Sequence, residues 1–365
     1  MIGSLTMGSV PAQPAASSAA SAAPVAAAAR GRGLVDRARR GADIVLNPSA
    51  LAMRRIALAG VIASAAIIPT GGAVRLSQSG LGCTDWPKCT ARSLVAAGVT
   101  GDPLIHRWIE FGNRLVTSAI FVIAVVVFVA AWRFRADQTG RPRRDLVWLA
   151  SAQPIGIAAQ AVIGGIVVLT KLAPFWVSLH YLATVPVLAA AVALHVRCAE
   201  TEQPARWLVQ PLVRLVARAL LVVVSVMFVA GTLVTGTGPL SGAPGVPRYQ
   251  FLSLTAVTQL HADIGWVLGT VAVMLALCLQ LTEAPARVVR LGWVVLGLIA
   301  LEGVIGYAQY FSGLPAGLVW VHVANTALIW IAVLRLTFAL RDRGQLAGSA
   351  PAAVTQELSG DAPVR

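Results

Sequence analysis

The residues best suited to chemistry in this chain are its histidines, of which there are five. His180, His261 and His322 each lie near the start of a long apolar segment. His261 and His322 come from two segments that enter a membrane from the same side, and two neutral imidazoles at matching depth suit the two axial positions of a haem iron. The pattern therefore favours a haem site between His261 and His322 over two structural histidines that only bond to neighbouring helices.

The elements that must position these histidines are apolar segments long enough to span a bilayer. Of the 365 residues, 57% are hydrophobic and only 12% are charged, which is typical of an integral membrane protein. A bilayer core of about 30 Å needs roughly 20 apolar residues in a helix. The sequence predicts eight such spans: 56–75, 106–132, 146–170, 174–196, 214–235, 255–281, 291–311 and 316–340.

The net charge of +14 is explained by where the basic residues lie. Arginines are concentrated before the first span, after the last span and in every second loop between them. Because positive residues favour the cytoplasmic side, we predict a multi-pass protein of the cell membrane with both termini cytoplasmic and no nucleic-acid partner. The flanking segments 1–50 and 344–365 are predicted to be disordered cytoplasmic tails.

The two halves of the chain repeat each other. The tripeptide Val-Ile-Gly occurs in spans three and seven, and Gln160 precedes His180 by the same spacing as Glu302 precedes His322. Each half holds four spans, so the halves have the same topology and are related by an axis along the membrane normal. We predict an all-α integral membrane protein of eight transmembrane helices, built as two pseudo-symmetric four-helix bundles at 51–198 and 199–343.

Span two begins with polar residues that a membrane helix normally avoids. The repeat makes Asn113 the counterpart of His261, and asparagine is a poor haem ligand. The nearest histidine, His106, lies about two helical turns closer to the surface. Arg114 follows Glu110 by four residues, which allows an ion pair. The side chains predicted to share one face of the helix and to line a pocket in the first bundle are His106, Glu110, Asn113 and Thr117.

Cys83 and Cys89 lie six residues apart in the first outer loop. On the oxidising side of a membrane they are expected to form a disulfide, with a redox-active dithiol as the alternative. Cys198 and Cys278 are interpreted as packing residues.

Six motifs, in their order and spacing, resemble the haem A synthase family over about residues 56–340. They are SGLGCTDWPKC, IEFGNR, SLHYLAT, VTGTGP, QLHAD and WVHVAN. The resemblance implies an oxidoreductase that oxidises a methyl group of haem O to a formyl group by successive hydroxylations, with water as the oxygen source. The product, haem A, would serve terminal oxidases. A haem b cofactor is implied in the second bundle and the haem O substrate site in the first.

The resemblance also implies residue roles. His261 and His322 match the ligands of haem b, and His180 matches a ligand of the substrate haem. Glu110 matches a glutamate important for activity, and the two first-loop cysteines match a cysteine pair of the family. Haem O synthase and oxidase assembly factors are implied as partners within the lipid bilayer.

Span two departs from the family pattern Glu-x-x-His-Arg, because Asn113 stands where histidine is expected. Three arrangements opposite His180 remain open: His106 moves in as the ligand, the iron stays five-coordinate, or a water held by Asn113 takes the sixth position. The single-histidine or water-ligated site is favoured, because moving His106 inward would need a large helix shift.

Charged residues around the substrate site have expected roles. Oxidising the methyl group builds positive charge on the macrocycle, which an ionised Glu110 would stabilise, or from which it would accept a proton. Arg75, Arg107 and Arg114 are expected partners of the haem propionates. One alternative function is a di-haem b-type membrane electron carrier without chemistry on its haem. The other is a small-molecule transporter, which predicts helices broken by glycine or proline at mid-membrane.

Overall fold

The computed structural model describes residues 36, 37, 39–96, 104–135 and 141–349. The chain divides into two compact units, Met1–Ile44 and Val45–Arg365. In the first unit residues 39–44 are helical, and most of the tail predicted at the amino terminus lies outside the described residues. The predicted spans all belong to the second unit.

Eight helices of the second unit are long and apolar enough to cross a membrane, so the predicted all-α membrane fold is confirmed. They are α1 Ala50–Leu76, α2 Leu104–Arg133, α3 Arg144–Leu169, α4 Pro174–Arg197, α5 Pro211–Thr237, α6 Leu254–Leu281, α7 Ala286–Phe311 and α8 Ala316–Ala339. Within the described residues the only sheet is one antiparallel pair of two-residue strands, β1 Arg206–Trp207 and β2 Arg341–Asp342.

Local sequence explains where several helices begin. Ser49 and Ser253 precede α1 and α6, and each side-chain oxygen accepts a hydrogen bond from the backbone N–H three residues on. Such caps satisfy a donor that has no partner within the helix. Pro174 and Pro211 are the first residues of α4 and α5, where a missing N–H removes no helical hydrogen bond.

The helices pack as two four-helix bundles with the same pattern of neighbours. In the first bundle, α1 to α4, each helix packs against the next and α1 also packs against α4. In the second bundle, α5 to α8, the same contacts recur, with α5 against α8. The bundles meet through α1 and α4 on one side and α5 and α8 on the other. The repeat in the sequence is therefore a repeat of packing as well.

The two bundles share a core and several polar contacts. The largest cluster of buried apolar residues combines α1 and α4 with all four helices of the second bundle. The hydroxyls of Tyr181 and Thr326 are 3.0 Å apart, and Trp330 Nε1 donates to the carbonyl of Val185 at 3.0 Å. The two bundles therefore pack directly against each other.

The segment after α8 folds back onto the loop between α4 and α5. Its strand β2 pairs with β1, Thr201 N donates to the Gly344 carbonyl, and Leu346 N donates to the Ala199 carbonyl. Residues 344–349, which the sequence assigns to a disordered tail, are therefore ordered, because backbone pairing holds them. The rest of that tail lies outside the described residues.

Candidate functional site

A cavity of about 2030 Å³ extends into both bundles. It reaches the ends of the helices near residues 77–96 and 238–253. Ligand pockets commonly measure about 300–1,000 Å³, so this cavity has room for more than one large ligand. All three predicted ligands, His180, His261 and His322, line it. The charged residues of its lining are Arg75, Glu110, Arg114 and Glu302.

In the second bundle, His261 of α6 and His322 of α8 lie side by side. Their ring centroids are 6.2 Å apart and the ring planes differ by 67°. The Nδ1 atom of His261 is buried without a hydrogen-bond partner among the described residues. Metal–imidazole bonds are about 2.0–2.1 Å long for zinc, so one metal ion fits between two rings at this separation. The pair therefore suits a haem iron, which needs only its axial ligands from the protein.

A glycine of a neighbouring helix lies against each histidine of the cavity. The pairs are Gly164 with His180, Gly231 with His261, and Gly306 with His322. A Cβ at these glycines would lie 3.1–3.4 Å from the imidazole Cε1, so a side chain there would press on the ring. The repeated Val-Ile-Gly motif supplies two of these glycines. The sequence repeat therefore keeps both the histidine and the glycine that leaves room for its imidazole ring.

The first bundle has open space where the second has His261. Gly71 is the repeat's counterpart of Gly231, and a Cβ at Gly71 would meet nothing within 4 Å. Gly71 also lines the cavity. Asn113, the counterpart of His261 in the sequence repeat, also lines the cavity.

A carboxyl group of α7 lies behind His322. Glu302 Oε1 is 3.4 Å from His322 Nδ1, and Glu302 Oε2 accepts a 2.9 Å hydrogen bond from Asn325 Nδ2. The first distance is longer than a well-formed hydrogen bond. Sequence reasoning missed this contact, although the shared spacing of Gln160 with His180 pointed to the position.

His180 and Asn113 line the same cavity in the first bundle. The His180 Nδ1 and Asn113 Oδ1 atoms are both buried without a hydrogen-bond partner among the described residues. Gln160 donates its Nε2 to the backbone carbonyl of His180 at 2.9 Å, so it holds the helix rather than the ring. The imidazole of His180 and the amide of Asn113 thus keep polar atoms for a ligand.

His106 is not brought to the cavity. Its Nδ1 lies 2.7 Å from the hydroxyl oxygen of Ser79 in the first loop. The same loop touches the backbone of His106 at Gly82, where a Cβ would collide with the His106 carbonyl. The arrangement in which His106 faces His180 therefore has no support in the structure.

The ion pair that the sequence spacing allows is formed. Arg114 Nη2 donates to Glu110 Oε1 at 2.7 Å, and Glu110 Oε2 accepts a hydrogen bond from Cys83 N at 2.6 Å. Arg114 also donates to the carbonyls of Asp85 and Lys88. The charged pair therefore fastens the first loop onto α2 at the edge of the cavity.

The predicted disulfide between Cys83 and Cys89 is confirmed, and both cysteines are buried. Between them, Trp86 packs on Gly165 of α3, where a Cβ would lie 2.5 Å from the indole ring. Trp86 and Pro87 line the cavity. The closed loop thus forms part of the wall around the first bundle's site.

The three arginines considered as propionate partners are engaged to different degrees. Arg107 does not line the cavity and donates to the Gly82 carbonyl, and Arg114 is occupied by Glu110 and loop carbonyls. Arg75 lines the cavity and makes one hydrogen bond among the described residues, from Nε to the Leu240 carbonyl at 2.6 Å. Its two terminal nitrogens are therefore the ones left for an anion.

Sequence comparisons agree with the motifs. The profile of the family described as cytochrome oxidase assembly protein matches residues 54–100 and 102–334. A heme A synthase of Lysinibacillus sphaericus is 32% identical over 130 residues, 35% of this chain and 39% of that protein. Heme A synthases of Bacillus cereus and Bacillus anthracis are 28% identical over 116 residues, 32% of this chain and 34% of theirs. The chain thus spans about a third to two fifths of these relatives.

The family profile covers the histidines, the first-loop cysteines and nearly all of the eight helices. The prediction from the motifs is confirmed at the level of the family. The chain belongs to the haem A synthase family of cytochrome oxidase assembly proteins.

Proposed function

We propose that this protein is a haem A synthase, which oxidises a methyl group of haem O to a formyl group. Its family and the names of its relatives support this. The observation that carries the proposal is a difference between the two bundles at equivalent positions of the sequence repeat, both of which line the same cavity. The second bundle has a histidine pair, whereas the first has His180 with open space at Gly71. The second bundle therefore offers two imidazoles to a resident cofactor, and the first offers one imidazole and one amide to the substrate.

His261 and His322 hold haem b in the second bundle. Their 6.2 Å separation and the two glycines behind the rings support this assignment. When bound there, haem b supplies one-electron transfer. The chain contributes two imidazoles on separate helices and a cavity lined mainly by apolar side chains.

The first bundle takes haem O, with His180 as the protein ligand. Asn113 leaves the opposite face of the iron open or holds a water there, because an amide both donates and accepts hydrogen bonds. Arg75 pairs with a propionate through its terminal nitrogens, since charge-assisted pairs of this kind are strong in a cavity with few other charges.

Glu110 acts on the oxidation itself. Each hydroxylation replaces one methyl hydrogen with the hydroxyl group of water. Overall it releases two protons, one from the methyl group and one from water, and two electrons that pass to an external electron acceptor. As electrons leave, positive charge develops on the macrocycle, and the Glu110 carboxylate stabilises that charge or accepts a proton. Arg114 and the amide of Cys83 hold Glu110 in place, so the first loop determines where this carboxyl group lies.

We further propose that the protein lies in the cell membrane with both termini cytoplasmic. The distribution of arginines supports this orientation. It places the Cys83–Cys89 loop on the oxidising side, where disulfides persist. A haem O synthase would supply the substrate, and oxidase assembly factors would receive haem A.

The test replaces Glu110 by glutamine in membranes supplied with haem O. General acid–base groups are worth about 10²–10⁴-fold in rate, so Glu110→Gln should lower haem A formation by about that factor and keep haem b. Haems are extracted and separated by chromatography. Glu283→Gln is the matched control, because Glu283 is exposed after α6 and does not line the cavity.

Unchanged haem A yield in Glu110→Gln, at equal protein level, would remove Glu110 from the mechanism. Haem b without conversion of haem O in the wild type would favour the electron carrier. A purified protein without any haem would favour the transporter.

A further inference from the structure

We propose that Glu302 is a positioning residue for His322 and that it makes the haem of the second bundle the permanent one. The inference rests on the proposed function, because it takes haem b to lie between His261 and His322. It gives Glu302 and Asn325 a role in the retention and the reduction potential of haem b, apart from the oxidation of haem O.

The Glu302 carboxyl group is held by a hydrogen bond from α8 at one oxygen and faces His322 of the same helix with the other. Asn325 is only 5% exposed, and its Nδ2 donates to Glu302 Oε2 at 2.9 Å and to the Leu298 carbonyl at 3.2 Å. This anchor directs Oε1 towards His322 Nδ1, 3.4 Å away. The Nε2 atom of His322 is therefore the ring nitrogen left for a metal.

A carboxyl group within a membrane helix is costly and needs a local partner. Among the described residues, His322 is the one basic side chain with a nitrogen within 4.0 Å of the Glu302 carboxyl oxygens. The cavity's arginines bond elsewhere, Arg75 to Leu240 and Arg114 to Glu110. In the part of the chain that the structure describes, the Glu302 carboxyl group therefore faces the imidazole of His322 and no lysine or arginine side chain.

The first bundle lacks this arrangement at the equivalent positions. Gln160 stands where Glu302 does, and it binds the backbone carbonyl of His180 at 2.9 Å. Ala183 stands where Asn325 does, three residues after the histidine. The two halves of the repeat therefore share the histidine but differ in the two side chains next to it, glutamate and asparagine in the second bundle and glutamine and alanine in the first. This difference matches a haem that stays in one bundle and a haem that must leave the other.

A carboxylate at the outer nitrogen of a metal-bound histidine fixes the ring and raises its basicity as a ligand. The stronger donor favours ferric over ferrous iron, so the reduction potential falls and the haem is held more tightly. Such partners are worth about 10–100-fold in metal affinity. For a one-electron couple, a tenfold change in the preference for the ferric state is about 59 mV.

The experiment uses the full-length protein with Glu302→Gln, which gives the second bundle the residue of the first. Transfer of haem b to apomyoglobin should show about 10–100-fold weaker retention. A redox titration should show a midpoint potential raised by about 59 mV for each tenfold loss of ferric preference. Asn325→Ala keeps the carboxyl group but removes its anchor, and should shift both readouts less. Glu283→Gln is the matched control.

Wild-type retention and potential in Glu302→Gln would overturn the inference. A wild type without haem b would instead overturn the proposed function, so the two failures are distinguishable. The double variant Gln160→Glu, Ala183→Asn tests the idea without altering the second bundle. It should retain the first-bundle haem longer, and unchanged retention there would count against the role of the carboxyl group.

Discussion

The two bundles share one packing pattern but differ at the polar positions that face their common cavity. The second bundle presents His261 and His322, with a carboxyl group behind the latter. The first presents His180 and Asn113, with open space at Gly71. The comparison teaches that a repeated scaffold can place histidines at equivalent positions while single residues change what surrounds them.

A second difference concerns the carboxyl group that each bundle keeps in the membrane. Glu302 lies against a histidine ring, whereas Glu110 is bound by Arg114 and by the backbone of a disulfide-closed loop. The corresponding loop of the second bundle, 238–253, contains no cysteine. The carboxyl group thus faces a histidine in the second bundle, and in the first bundle it is hydrogen-bonded to the backbone of the first loop.

The largest expected effect comes from replacing the histidines, because each replacement should remove one of the two predicted haem sites and leave the other. His261→Ala or His322→Ala should abolish haem b binding, whereas His180→Ala should leave haem b in place and abolish haem A formation. Extracted-haem analysis of purified variants checks this, with circular dichroism as the control for folding. Loss of haem b in His180→Ala as well would show that the two sites are not separate.

Asn113→His should make the first bundle resemble the second. A histidine at this position would face His180 as His261 faces His322, so bound haem O should become six-coordinate and low-spin and haem A formation should slow. Electron paramagnetic resonance of the haem O-loaded variant measures the spin state. A high-spin signal equal to that of the wild type would show that position 113 does not face the iron.

A smaller effect is expected from Cys83→Ser, which opens the loop that holds Glu110. Removing a disulfide typically costs about 2–4 kcal/mol, and we expect a cost of about 2 kcal/mol because the cysteines are separated by only six positions. Thermal unfolding measures the loss, and haem extraction should show less haem A with haem b unchanged. Equal loss of haem b would contradict the assignment of this loop to the first bundle.

Hydropathy was sufficient to predict the eight helices that are long and apolar enough to span a membrane. The helix ends were less predictable, as α1 shows. It begins at Ala50, six residues before the predicted span, because Arg54 and Arg55 lower hydropathy without disturbing helical hydrogen bonds.

The candidate site was predictable only in part. Spacing was enough for the Glu110–Arg114 pair, but not for the contact of Glu302 with His322. Membrane helices are apolar around most of their circumference, so their sequences do not specify which face meets which neighbour. His106 shows a second limit, because the first loop folds onto its helix and Ser79 binds it.

The proposed function predicts that the haem iron of the first bundle has an open coordination position and that the haem iron of the second bundle has none. Carbon monoxide binding to the reduced protein loaded with haem O tests this most directly, with extracted haems identifying what was bound. Carbon monoxide should bind to haem O and not to haem b, because two imidazoles leave no free position on the iron. Binding to haem b, or to neither haem, would contradict the account.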